Sequence, residues 1–371
     1  MKILVSAPSG LEGVTKRELY KLLNVDTKSI NGRLSLEGDI LSVALCNLHL
    51  RTASRVFIEI GSFKAQTFDE LFDGIKELDF ETYIHKNGKI EVYGSSIESK
   101  LSATTACASV IKKAICTRLE NYYKSPLNES GERYKIEFVI RRDFVTVCLD
   151  TSGEGLHKRG YRKLVGEAPL KENVASALID LSFWKGDKPL VDVFCGSGTI
   201  LIEACLMARN IPSGLNRDFD FLHYKNFDTS FFEGLKQEAI SKMNDGKDLK
   251  LIGFDINENQ LRLARLHAKN AGVTENIHFQ QGDMRNFQSR FNCGVIISNP
   301  PYGERLLDTN KVNKLYKDFG KMFETLNGWE CHVLTPVTNF ERLISKTANK
   351  KRKVYSGKLA CNYYSFFSKK C

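Results

Sequence analysis

The chain has 371 residues, 42% hydrophobic and 26% charged, which is the length of two or three domains and the profile of a globular protein with real cores. Its 54 Lys+Arg against 44 Asp+Glu give +10, yet residues 351–371 alone carry six basic and no acidic side chains, so a uniform basic coat is excluded. No apolar run approaches the ~20 residues that span a bilayer, the stretch before Pro8 is too short for a signal peptide, and ten cysteines without a CxxC pair read as reduced cytosolic thiols.

Taken in order, KILVSA predicts a strand, and the following helix sets Leu11, Val14, Leu19, Leu22 and Leu23 near one face. GRLSLEG is a short strand, DILSVALCNL a helix with Asp39 as its N-cap, and RVFIEIGSF a closing strand. Residues 1–63 thus form a small α/β module with too little core to stand comfortably alone. Residues 64–155 form a second unit: helix FDELFDGIKEL, strand KIEVYGSS, and a helix with Ile111, Ile115 and Leu119 at four-residue spacing. Two alternating runs then meet at Arg141-Arg142-Asp143, a hairpin. An arginine pair at such a turn is either a solvated tip or a phosphate contact, and sequence does not separate the two.

Residues 156–170 read as a linker of different texture, Gly-rich, with Lys158, Arg159, Arg162 and Lys163 around Tyr161. Composition alone allows a solvated connector. Cations beside a ring also suit single-stranded nucleic acid, and the position directly before a catalytic domain favours that reading, with Lys158, Arg159, Tyr161 and Arg162 as the RNA-binding candidates.

From residue 171 to 371 the pattern is a doubly wound α/β domain, so the whole is an α/β chain with a Rossmann-like C-terminal part. Arg209–Lys247 reads as an insertion before the second strand. Strand PLVDVF runs into CGSGT, where Gly196 and Gly198 let the backbone approach a ligand at a helix start. GxGxxG and GK[ST] are both absent, so neither a dinucleotide fingerprint nor a P-loop is present. Asp192 at the strand end suits the ammonium of an amino-acid tail. Asp255, ending GFDI, suits a pair of ribose hydroxyls, and Asp283, in QGD, an adenine amino group. Any one such acid is as readily a helix N-cap; three after three consecutive strands are hard to dismiss. The fourth strand ends in Asn299-Pro300-Pro301-Tyr302. The prolines fix the backbone and remove two donors, leaving carbonyls free to face a pocket, Asn299 adds a side-chain carbonyl, and Tyr302 offers a ring for a base. An exocyclic ring amine held by its two N–H groups needs only placement against an electrophilic methyl.

VDVFCGSGT, GFDI, QGD and NPPYG, in that order and preceded by GLHKRGYR and EAPLKEN, resemble the THUMP-domain class I S-adenosylmethionine-dependent rRNA methyltransferases, specifically the guanine-N2 half of the bacterial RlmL type. The resemblance covers essentially the whole chain. It implies a ferredoxin-like domain at 1–63, a THUMP RNA-binding domain at 64–155, a linker at 156–170 and a methyltransferase domain at 171–371. It implies that Asp192, Phe194, Gly196, Ser197, Gly198 and Thr199 hold the methionine end of S-adenosylmethionine. Asp255 with Ile256 would take the ribose, Asp283 with Met284 the adenine, and Leu170 and Lys171 would line the pocket. Asn299, Pro300, Pro301 and Tyr302 would hold a flipped guanine. Cys195 in the loop reads as packing. The expected activity is methylation of guanine N2 in 23S rRNA, in the cytoplasm, without metal or membrane and without the second, 7-methylguanosine activity of two-headed relatives. The rivals are N6-adenine methylation of DNA, guanine-N2 methylation of tRNA, and a non-catalytic RNA-binding assembly factor.

Overall fold

The computed structural model describes residues 1–30, 32–162, 170–303, 309–357 and 359–368. Lys163 of the basic cluster, the Glu167-Ala168-Pro169 stretch and Lys358 lie outside the described residues.

The first half is built on strands β1 (Lys2–Ser6), β2 (Lys28–Ile30), β3 (Arg33–Glu37), β4 (Arg55–Lys64), β5 (Lys89–Ile97), β6 (Arg133–Arg141) and β7 (Phe144–Asp150), with helices α1 (Glu12–Leu23), α2 (Ile40–His49), α3 (Phe68–Lys76) and α4 (Thr104–Tyr123). The two predicted N-terminal units share one seven-stranded sheet, ordered β2-β3-β1-β4-β7-β6-β5, joined through β4 and β7. Asp39 closes a capping box with Ser42 at the start of α2, which satisfies two orphan donors reciprocally. The β6–β7 turn has only Arg142 and Asp143 between its strands, at φ 50° and 64°, the primed conformation that matches strand twist.

The predicted apolar face of α1 is divided. Leu19 joins the core of the first sheet, whereas Leu11 and Val14 pack into the core of the C-terminal half, beside Val174 and Leu178. That division explains why residues 1–63 hold too little core of their own.

The second half comprises α5 (Glu172–Ser182), β8 (Leu190–Asp192), α6 (Thr199–Ala208), α7 (Thr229–Ser241), β9 (Leu251–Asp255), α8 (Glu258–Asn270), β10 (Ile277–Gln281), β11 (Gly294–Ser298), α9 (Thr309–Glu324), β12 (Trp329–Thr335), α10 (Phe340–Leu343), β13 (Lys350–Ser356) and β14 (Leu359–Phe366). Its sheet runs β10-β9-β8-β11-β12-β14-β13, parallel from β10 to β12 and antiparallel at β14 and β13. The C-terminal basic excess has its account here: Lys350, Lys351, Arg352 and Lys353 are exposed on β13, the outermost strand. Charged side chains on an edge strand keep it from pairing with other chains.

The insertion between α6 and β9 packs on the other half of the molecule. Phe219, Phe221, Tyr224 and Phe232 are buried in the core of the first sheet. The Tyr224 ring stacks on Tyr134 at 5.7 Å, the Tyr134 hydroxyl donates to the His223 carbonyl at 3.0 Å, and the Tyr224 hydroxyl donates to that of Asp150 at 2.6 Å. Cys46, Cys107, Cys116, Cys148, Cys195, Cys205, Cys331 and Cys361 are free thiols. Among the described residues no helix is long and apolar enough to cross a membrane.

Candidate active site

Parallel order brings the carboxyl ends of β10, β9, β8 and β11 side by side, with Asp255 paired in register with Gln281 and Asp192 with Gly253. Asp283, Asp255, Asp192 and Asn299 therefore line up along one rim. At about 4.8 Å per strand the four ends span roughly 14 Å.

Between β8 and α6 the chain turns through Gly196 at φ 50° and Gly198 at φ 80°. A Cβ at Gly198 would stand 2.9 Å from the Phe279 ring and 3.1 Å from Ala264, so only glycine fits. A Cβ at Gly196 would meet nothing within 4 Å: the loop faces open space. The Gly196 N–H donates to Asp255 at 2.9 Å, which ties the loop to the neighbouring strand. Ser197 offers its carbonyl to the ring of the buried His267 at 3.2 Å. Ile256 presents an apolar surface beside Asp255, 69% exposed.

Asp192 is buried. It accepts hydrogen bonds from the Ser298 hydroxyl at 2.7 Å and the Phe194 N–H at 3.1 Å. Burial drives its pKa up to about 7, the two hydrogen bonds pull against that rise, and the charge of Asp255 adds to it. A desolvated carboxylate with neutral donors, beside open space at Gly196, is a site short of one cation. This donor set fits a zwitterionic amino-acid tail. Ser298 is a residue sequence reasoning missed; its position just before Asn299 on a buried strand was the available signal.

Several expected contacts come out differently. Met284 is 2% exposed and packs in the core with Phe287. Phe194 packs on Phe319 of α9 at 6.0 Å. Asp283 also caps the turn at Met284–Asn286, accepting from the Arg285 N–H at 2.9 Å. Cys195 is buried and its thiol is held well above the usual range by burial first and Asp192 next, which suits packing. Leu170 is buried, and Lys171 is the exposed N-cap residue of α5. In the tetrapeptide, Pro301 does not offer a free carbonyl: it accepts from the hydroxyl of Tyr316 at 3.1 Å, and that hydroxyl also bonds Thr335 at 2.9 Å. Asn299 and Tyr302 remain half-buried beside it.

The basic cluster before α5 is the main correction. Arg159 and Tyr161 are 5% and 4% exposed, so neither lies open to RNA. The Arg159 guanidinium bonds the carbonyls of Leu156 and Arg51 and pairs with the buried Glu203 at 3.4 Å. The Tyr161 hydroxyl donates to Glu203 at 3.1 Å, and Ser176 does so at 2.7 Å. Arg162 pairs with Glu172 at 3.2 Å and donates to the Thr199 hydroxyl at the end of the glycine loop. Cations that composition assigns to phosphates instead clamp the segment into the catalytic half, because buried acids on α5 and α6 await them. Of Lys158, Arg159, Tyr161 and Arg162, Lys158 alone is exposed, paired with Glu154.

Comparison with known proteins decides the family. A model for the RMKL-like methyltransferase domain matches residues 159–365, one for the RlmL ferredoxin-like domain residues 2–57, and one for the THUMP domain residues 65–150. The chain belongs to the RMKL-like methyltransferase family. YpsC of Bacillus subtilis strain 168, provisionally named an RNA methyltransferase, is 39% identical over 370 residues, covering 99% of this chain and 96% of that protein. The ribosomal RNA large subunit methyltransferase K/L of Shewanella baltica strain OS195 is 29% identical over 371 residues; this methyltransferase spans 52% of its length. Among solved structures, SMU.472 in complex with SAH superposes with a TM-score of 0.95 at 39% identity, over 100% of this chain and 98% of that one.

Proposed function

We propose that the chain transfers a methyl group to the exocyclic N2 amine of a guanine in 23S rRNA, acting in the cytoplasm. The cofactor is S-adenosylmethionine. The observation that carries the reading is the rim of Asp283, Asp255, Asp192 and Asn299 on four adjacent strands, three acids for one ligand and an amide beside it for another. The likeness to the Shewanella ribosomal RNA enzyme supports rRNA as substrate, and the THUMP domain supports RNA in general.

In this reading residues 1–63, 64–155 and 171–371 are the ferredoxin-like, THUMP and catalytic domains, with 156–170 joining them. Asp192 takes the ammonium of the methionine end, Gly196, Ser197, Gly198 and Thr199 cradle its carboxylate, Asp255 accepts the ribose hydroxyls, and Asp283 the adenine amine, with Ile256 against the ring. Bound cofactor supplies a methyl on a positively charged sulfur, which leaves with the bonding pair as the new N–C bond forms. Asn299 accepts one N–H of the guanine amine through its side-chain carbonyl, and the Pro300 carbonyl accepts the other. Tyr302 stacks on the base. Held this way, the amine presents its lone pair to the methyl, and its surplus proton passes to water. The chain's work is placement.

The test is the product. With labelled cofactor and, separately, 23S rRNA, tRNA and duplex DNA, nuclease digestion should yield labelled N2-methylguanosine from 23S rRNA alone. Label in N6-methyladenosine overturns the guanine reading, and label from tRNA alone overturns the rRNA reading.

The raised pKa of Asp192 gives a second expectation. In the ligand-free chain its carboxyl titrates near 7 against an ordinary 3.8. The folded state therefore binds more protons than the unfolded one between about pH 4 and 7, and this group's contribution to stability falls as pH rises through that window. Pairing with an ammonium needs the ionised form. Cofactor affinity should therefore climb from pH 5.5 to about 7 and level off, until the cofactor's own amino group deprotonates near pH 8. Titration calorimetry across that range measures the slope, and Asp192→Asn should flatten it. A pH-independent affinity in the native chain would remove Asp192 from the ammonium site.

A further inference from the structure

The N-terminal sheet carries its helices on one face only, and the other face is read from cross-strand register. At the end remote from the catalytic half, Ile97 on β5 pairs with Arg141 on β6, Arg141 with Phe144 on β7, and Phe144 with Lys64 on β4. One transverse row thus holds an aliphatic side chain, a guanidinium, a ring and an ammonium. The next row on that face holds Ser95, Val139, Thr146 and Ser62, all small. The third row holds Tyr93, Glu137, Cys148 and Glu59, tall everywhere but at the cysteine. Its Tyr93 donates to Asp150 at 3.1 Å, its Glu137 pairs with Arg33 at 2.6 Å, and Arg33 covers the Phe57 ring at 4.7 Å.

Small side chains between two tall rows leave a trough. It is a cleft of about 390 Å³ lined by Val139, Arg141, Arg142, Phe144 and Thr146. Phe144 is 52% exposed in its wall. The turn beside it is held in left-handed backbone by Asp143, whose carboxylate accepts from the Lys100 N–H at 2.8 Å and from Gln66 at 2.7 Å. Asp143 is thereby engaged from within. Glu98 pairs with Arg142 at 2.8 Å with both side chains largely in solvent, an arrangement easily exchanged for another anion. Against those two acids stand Lys64, Lys100, Arg141 and Arg142.

We propose that this trough is a nucleotide-binding cleft. One unstacked base of an RNA strand lies against the Phe144 ring over Val139 and Thr146, and the flanking phosphates meet Arg141, Arg142 and Lys64. A floor of small side chains, an exposed ring and a cationic rim are the elements that hold single-stranded nucleic acid without reading its sequence. The cleft lies about 20 Å, the length of β7, from the Asp150 end where the insertion docks. It would thus grip RNA at a distance from the reacting base. The proposal rests on the RNA reading above.

The experiment uses the full chain and transcribed 23S rRNA carrying scattered 4-thiouridine. Phe144→Leu keeps apolar bulk and removes the ring; Phe144→Trp restores one; Arg142→Gln removes a rim charge. Phe144→Leu should weaken 23S rRNA binding about tenfold, the loss expected for one stacked base, while leaving affinity for fully duplex RNA unchanged. Phe144→Trp should recover it, and Arg142→Gln should flatten the salt dependence of binding. Photo-crosslinks should fall within residues 133–150. If Phe144→Leu and Arg142→Gln bind 23S rRNA as the native chain does and crosslinks fall elsewhere, the cleft is overturned while the RNA reading stands. If the native chain neither binds nor methylates any RNA, both fall.

Discussion

Asn299→Ala should leave cofactor affinity unchanged and lower the rate of methyl transfer on the order of a hundred- to a thousand-fold, the loss seen when one positioned hydrogen-bonding group is taken from a reacting centre. The expectation follows from how the tetrapeptide is supported. Ser298, one residue earlier, carries the link to Asp192, and Pro301 is held from α9 by Tyr316. Neither support runs through the Asn299 side chain, so its removal strikes the target amine alone. Single-turnover rates with saturating cofactor, beside a direct binding titration, separate the two effects. Equal rates in variant and native protein would take the tetrapeptide out of the mechanism.

Glu203→Ala should cost about 3–5 kcal/mol of stability, the penalty for stranding a buried charge after its partner is removed. Glu203 sits on α6, just beyond the glycine loop, and receives Arg159, Tyr161 and Ser176. Arg159 is 2% exposed along its side chain, and without Glu203 its hydrogen bonds are to the carbonyls of Leu156 and Arg51 alone. Denaturant unfolding at neutral pH measures the loss. A change below about 1 kcal/mol would mean that water reaches the guanidinium, and that the segment ahead of α5 is looser than the hydrogen bonds imply. Replacing both Arg159 and Glu203 with apolar residues should restore much of the loss, because the stranded charge goes with them.

The catalytic half was legible because its signals are local. An acid closing a strand, two glycines opening a helix and a proline pair ending another strand each constrain backbone within a few residues, and parallel order then brings them together. The basic segment around Tyr161 was not legible, since interleaved cations and an aromatic look the same whether they face phosphate or a buried acid. Glu203, which decides it, lies 42 residues from Tyr161. Burial of Met284 and the engagement of Pro301 by Tyr316 were hidden for the same reason: each depends on a side chain from α9 or its surroundings. The arginine turn at Arg141–Arg142 stayed undecided in one dimension because its meaning depends on which residues stand opposite in register, and Phe144, Ile97 and Lys64 come from three different strands.

The insertion after α6 has a consequence for how the molecule comes apart. Phe219, Phe221, Tyr224 and Phe232 belong by sequence to the catalytic half and by packing to the other core, while Leu11 and Val14 make the reverse exchange. Each half thus finishes the other's interior, like two rooms sharing a pair of beams. Cutting the gene at residue 156 would leave both fragments with exposed apolar surface, and neither would serve as a free-standing module. Heating or denaturant should melt the whole in a single cooperative step, and the gap between the trough beside Phe144 and the rim of acids is a fixed length rather than an adjustable one.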